Sequence, residues 1–209
     1  AGTGRDHQTT ATMSLFSTDD LQKKRAERSK SGSVDSNGTA LLTIGKANQK
    51  LHEVFGQVIQ GQSVHYASLG DWSTHDLLFF LLEQTGPARV YFTTWAISEY
   101  AIRQLYQFIE HGLIIELKGI FDYRNGIRKP AELQFLQKIT TDIKAAKCHA
   151  KVTVIENDHW GISVVGSANY TRNPHIEAGV LCCDKTVAAF HRNWILNELS
   201  NTSAFDRPE

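Results

Sequence analysis

The chain has 209 residues, 41% hydrophobic and 21% charged, with 22 basic against 22 acidic side chains. This composition excludes a collagen-like, disulfide-scaffold or wholly disordered chain. Zero net charge excludes a generic polycation, so any site for a polyanion has to be local. The longest apolar run, Leu77 to Leu82, is too short to cross a bilayer, and no membrane partner is expected.

Residues 1–38 read as a polar arm, rich in Ser, Thr, Gly and Lys. Within it, Ser17-Thr18-Asp19-Asp20 precedes a basic run from Leu21 to Arg28, which predicts a short capped helix. Residues 1–50 carry 8 basic and 5 acidic side chains, so the arm is expected to be solvated or to dock on phosphate. No apolar signal core follows Ala1, and the absence of an initial Met is read as a trimmed start, either of a whole protein or of a domain from a larger one. A globular domain is expected over 39–201 and a polar tail over 202–209.

Within the domain, residues 64–68 predict a strand. Ser73 to Asp76 predict the cap of an apolar helix to about Gln84, stopped by Gly86-Pro87. Residues 89–95 are β-branched and aromatic, hence a strand. Residues 98–110 show helical apolar spacing at Ala101, Ile102, Leu105, Phe108 and Ile109. A strand over 113–120, a polar loop over 122–130 and a helix over 131–143 follow. Strands are expected over 147–156 and 162–166 around a turn at Asn157-Asp158-His159, then a strand over 177–183 and a closing helix over 186–198. Strands alternating with helices predict an α/β fold, an αβα sandwich around a mixed sheet. Three cysteines, Cys148, Cys182 and Cys183, without Cys-x-x-Cys spacing predict reduced thiols and a cytoplasmic setting rather than disulfides or zinc.

One constellation carries chemistry. Of nine histidines, His149 alone has Lys two residues on, in a segment read as a strand, where i and i+2 share a face. The next strand ends in Gly166-Ser167-Ala168-Asn169, and Glu177 opens the one after. A hairpin and return strand would bring an imidazole, an ammonium, a hydroxyl, an amide and a carboxylate into one pocket. Lysine and asparagine suit phosphoryl oxygens, and a carboxylate can fix an imidazole tautomer. The set lacks the clustered carboxylates that Mg²⁺ chemistry uses, so no metal and no cofactor are expected. Arg124, Arg128 and Lys129 in the polar loop, and Arg172 after the Asn motif, are candidates to track a nucleic-acid backbone or to be solvated surface charges. His159 and His175 read as turn or rim residues, His65 as packing, and Trp72 and Trp95 as packing with base stacking as the other reading.

His149-Ala150-Lys151, Gly166-Ser167-Ala168-Asn169 and Glu177 together resemble the signature of the phospholipase D superfamily, His-x-Lys-x4-Asp followed by Gly-Ser-x-Asn. The motif-bearing stretch covers about residues 147–183. Two departures are visible: Glu156 stands at the Asp position, with Asp158 nearby, and the turn between the halves is longer. The resemblance implies one phospholipase D-like repeat per chain. It also implies a homodimer, because family members build one site from two such motifs and this chain has one. It further implies a metal-independent phosphodiesterase with His149 as nucleophile in one copy and acid–base in the other. Lys151, Asn169 and Ser167 would then bind phosphoryl oxygens, and Glu177 would orient an imidazole. Short single-motif members are nucleases, so DNA or RNA is the implied substrate. A phospholipid or other small phosphodiester, and a binding module with a vestigial site, are the alternatives.

Overall fold

The computed structural model describes residues 32–35, 51–172 and 174–201. The elements follow in chain order. They are β1 (Gly32–Asp35), α1 (Leu51–Phe55), β2 (Ser63–Ser68), α2 (Thr74–Thr85), β3 (Ala88–Thr94), α3 (Glu99–Glu110) and β4 (Ile114–Asp122). Next come α4 (Tyr123–Arg128), α5 (Pro130–Ile139), β5 (Asp142–Ala146), β6 (Val152–Glu156), β7 (Gly161–Gly166), β8 (Glu177–Cys182) and α6 (Lys185–Ser200).

The helix starts follow from local chemistry. Ser73 caps α2 in a reciprocal box with Asp76, each side chain meeting the other's backbone N–H. Ser98 caps α3 through the Ala101 N–H. Pro130 occupies the first turn of α5, where a missing N–H costs nothing. Asp184 accepts the N–H groups of Thr186 and Val187 at the start of α6.

All eight strands form one mixed sheet in the order β1-β2-β8-β7-β6-β3-β4-β5. β3, β4 and β5 run parallel, joined by crossovers through α3 and through α4 and α5. The remaining pairs are antiparallel. Strand alternation sends Val90, Phe92, Leu117, Phe121, Ile155 and Ile162 to one face, against α1, α2, α3 and α5. Tyr91, Ile120, Val152 and Val154 go to the other, against Ala188 and Ile195 of α6. The result is the expected αβα sandwich around a mixed sheet.

Four expectations are corrected. β1 falls inside the stretch read as an arm, so the sheet reaches back before residue 39 and pairs Gly32–Asp35 with β2. The short basic helix, residues 39–50 and the tail lie outside the described residues. The polar loop over 122–130 instead carries a helical turn, because the Asp122 carboxylate accepts the Arg124 N–H at 3.1 Å in the manner of an N-cap. The helix expected to 143 stops at Ile139. The β-branched pair Thr140-Thr141 turns extended, and Thr141 donates to the Leu117 carbonyl at 2.7 Å, starting β5. The strand expected from Lys147 starts only at Val152.

Gly119 lies in β4 beside Phe92 of β3, and a Cβ there would run into the buried Phe92 ring. Gly119→Ala is expected to cost about 1–3 kcal/mol, as overpacking does in a closed core, read as a lower urea midpoint with an unchanged m-value.

Candidate active site

β6, β7 and β8 end side by side, and the candidate residues sit at that end. Val152 pairs with Val165, and Gly166 donates its N–H to the Lys151 carbonyl at 3.1 Å. This places Lys151 against the Gly166-Ser167-Ala168-Asn169 segment. His149 lies in irregular backbone just ahead of β6, so strand alternation does not pair it with Lys151. The Lys151 side chain turns back instead. Its Nζ donates to the His149 carbonyl at 2.7 Å and lies 3.2 Å from Nδ1 of the ring. Partial burial lowers the pKa of the Lys151 ammonium, opposed by Cys148 and by the charge of Glu177.

Ser167 and Glu177 meet across the β7–β8 loop, the hydroxyl donating to the carboxylate. The Ser167 hydroxyl also accepts the Ala178 N–H at 3.0 Å, which fixes its position. Asn169 is oriented by backbone. Its Oδ1 accepts the N–H groups of Trp95 at 3.1 Å and Ala96 at 3.2 Å, beyond the end of β3. Spending the carbonyl on these donors leaves the Asn169 amide N–H₂ for a further acceptor. The Asn169 backbone carbonyl is held in turn by the Thr74 hydroxyl at 3.0 Å.

Trp95 belongs to this site, which the packing reading of that residue did not anticipate. Its ring centroid lies 6.1 Å from that of His149, and the Arg124 guanidinium sits 5.8 Å from the indole centroid. Trp72, by contrast, is buried against Phe55 and Tyr66.

Asp122 organises this corner and was not singled out from the sequence. It is 1% exposed and takes two hydrogen bonds from the Arg124 guanidinium, at 2.7 and 3.1 Å. The N–H of Cys148, the residue before His149, also favours its charged form. Burial alone would raise its pKa. Hydrogen bonds from the Arg124 side chain and backbone, with that from Cys148, outweigh burial and hold the carboxyl below the usual range.

The other cations are placed differently. Arg124 is tied to Asp122, so its charge is already countered. Lys129 lies 3.8 Å from Glu132. Arg128 is exposed on α4. Arg172 is exposed on the loop after Asn169, its guanidinium 4.7 Å from the centre of the Tyr100 ring. The edge of Tyr100 meets the buried ring of His75. His65, His159 and His175 are exposed. Glu156, at the departed signature position, pairs with Arg192 and ties α6 to the sheet. The three cysteines are free thiols. Among the described residues, no three His, Cys, Asp or Glu side chains gather as a metal site.

No protein-family model matches the sequence, and no curated protein matches it. Among solved structures, the chain is similar to a polyphosphate kinase from Porphyromonas gingivalis at a TM-score of 0.55 and 14% identity, over 80% of this chain and 32% of that one. It is also similar to Nuc from Salmonella typhimurium, a phospholipase D family member, at a TM-score of 0.45 and 15% identity, over 58% of this chain and 87% of that one. A third neighbour is TrmBL2, an archaeal chromatin protein with a novel mode of DNA binding, at a TM-score of 0.46 and 11% identity, over 72% of this chain and 58% of that one. At these identities the likeness is one of fold alone, an α/β sandwich shared with the kinase. The chain spans about a third of the kinase.

The Asp122 bonds make a pH-dependent prediction. A carboxyl held below its ordinary value of 3.8 contributes stability above that pH and loses it as pH falls through the folded-state value. In urea unfolding, wild type is expected to be more stable than Asp122→Asn above about pH 4, and the gap is expected to close on further acidification. Amide exchange over residues 122–128 is expected to be faster in the variant at neutral pH, because the Arg124 N–H loses its charged acceptor.

Proposed function

We propose that the chain is a metal-independent phosphodiesterase acting on nucleic acid, with one active site completed by two copies. The observation that carries this reading is the meeting of His149 and Lys151 with Ser167, Asn169 and Glu177 at one end of β6, β7 and β8. The five come from three chain segments, and each is held by a named backbone or side-chain contact.

The proposed chemistry uses two identical imidazoles. One His149 nitrogen attacks phosphorus, and the bond to the leaving oxygen breaks as that oxygen takes a proton from the second copy's imidazole. Water then attacks the phosphohistidine, giving its proton to the second imidazole, and the P–N bond breaks to restore the first. Lys151 and the Asn169 amide face the developing charge on the non-bridging oxygens. Glu177 holds Ser167 and balances the charge of Lys151. The donor set supports a reading without metal, since an ammonium stands where a divalent cation would require anionic oxygens.

Openness supports a polymer as substrate. His149, Ser167 and Arg172 are exposed, and the recess beside Lys151 is only about 10 Å³. A substrate would therefore lie across the site rather than enter it. No described helix is long and apolar enough to cross a membrane.

Single- and double-stranded DNA and RNA incubated in EDTA test the reading. Cleavage is expected with the wild type and is expected to fall about a thousandfold or more in His149→Ala. Light scattering is expected to give twice the 23.4 kDa chain mass. A folded dimer that cleaves none of the four polymers would overturn the nuclease reading, and a monomer with full activity would overturn the shared site.

A further inference from the structure

The register of the sheet draws one row of residues across it at the level of Lys151. Tyr66 of β2 is opposite Gly179 of β8, Gly179 is opposite Gly166 of β7, and Gly166 is bonded to Lys151. Directly paired residues project to the same face. Between Tyr66 and Lys151, therefore, the row carries no side chain. The phenol of Tyr66 fills that gap. A Cβ on Gly179 would lie 2.6 Å from its hydroxyl oxygen, and a Cβ on Gly166 would lie 3.5 Å away. Glycine is needed at 179 so that a tyrosine from the far strand can lie along the sheet toward the site, and a Cβ at 166 would only touch its hydroxyl.

The Tyr66 ring is held edge-on by Phe55 at 5.4 Å, and by Trp72 at 6.2 Å, and the residue is 8% exposed. Its hydroxyl ends at a recess of about 10 Å³, shared with Lys151, Gly166, Ala168 and Tyr170. That volume admits about one oxygen-sized atom. The neighbouring Tyr170 hydroxyl is paired with Thr153 at 2.7 Å. The Tyr66 hydroxyl has no such partner among the described residues. A hydroxyl at the wall of a recess it shares with a lysine is suited to donate to a ligand oxygen that enters there.

We propose that the Tyr66 hydroxyl is a donor to a phosphoryl oxygen bound beside Lys151, reaching it through the room left by Gly179. This inference rests on the phosphodiesterase reading and adds a residue from outside both motif halves. Burial, and after it the charge of Glu177, push the Tyr66 pKa well above the ordinary phenol value, so the group keeps its proton. It complements Lys151. The ammonium brings charge on a flexible stem, while the phenol brings a neutral donor fixed on a strand. The ligand class is a tetrahedral oxyanion, a phosphate mono- or diester group.

The test uses the full chain, inorganic phosphate followed by calorimetry, and hydrolysis of bis(p-nitrophenyl) phosphate. Y66F keeps the ring and removes only the hydroxyl. It is expected to retain the wild-type Tm, to bind phosphate about tenfold more weakly and to lose about tenfold in kcat. Gly179→Ala, which displaces the hydroxyl, is expected to weaken phosphate binding by a similar factor. Lys151→Ala is expected to abolish phosphate binding. If Y66F binds phosphate and turns over like wild type while Lys151→Ala does neither, the Tyr66 role is overturned and the site reading stands. A lower Tm in Y66F with unchanged phosphate affinity overturns it equally, because packing alone would then explain the residue. A wild type that neither binds phosphate nor hydrolyses the diester overturns the site reading, and the Tyr66 role with it.

Discussion

Val152 against Val165, and Gly166 against Gly179, set the register of three antiparallel strands, and everything at the candidate site hangs on it. A slip of one residue would move Lys151 and Glu177 to the opposite face and send Val164 and Ile155 out of the core. The core therefore polices the site. Ile155, Ile162 and Leu181 are almost wholly buried on the same face, so the hydrophobic cost of a slip enforces the placement of the polar residues at the strand ends. Functional geometry is inherited from packing here, with no dedicated element to supply it.

The site also depends on polar groups that are buried but fully engaged. Asp122 has little contact with water, yet three N–H donors of Arg124 bind it. Removing such a partner leaves an uncompensated charge, which costs more than the intact arrangement gains. Asn169 shows the same logic with a neutral group, since its carbonyl is spent on the backbone beyond β3. Both residues tie a loop of the site to the β3–β4 half of the sheet. The two halves of the sheet are joined by the β3–β6 ladder and by these side chains, so the site sits where local loosening would be felt first.

Much of this was legible in the sequence because its causes are local. The Ser73 cap, the alternation in β6 and β7 and the pairing of two short motifs need only neighbours along the chain. The parts that were missed depend on distant partners. Nothing near Asp122 says that it will hold Cys148, which is 26 positions away. Tyr66 reads as an ordinary strand aromatic until Gly179, far along the chain, is seen to leave room for it. A glycine inside a strand pattern is the one available signal, because it marks a close approach of something large. β1 was missed for the same reason, since a four-residue polar strand exists only through its pairing with β2. Lys151 was paired with His149 for the wrong reason. Strand alternation does not reach His149, and the contact comes from a lysine long enough to fold back on its own carbonyl neighbour.

On the proposed reading a neutral chain acts on a polyanion, which requires its charge to be sorted. Arg124 is neutralised by Asp122 and Lys129 sits near Glu132, so the loop that looked most basic contributes little net field. Lys151 keeps its charge beside Glu177, and Arg172 spends its positive face on Tyr100. On the proposed reading, two copies meeting at His149 would double the ammonium groups around one phosphate while the rest of each surface stays balanced. Local doubling gives attraction without a polycation's indiscriminate binding. The same proposed symmetry would place two identical imidazoles around one phosphorus, one to attack and one to give its proton to the leaving oxygen. Neither chain would then be assigned its role by sequence. The substrate's direction across the two-fold axis would decide which His149 attacks and which one gives up its proton.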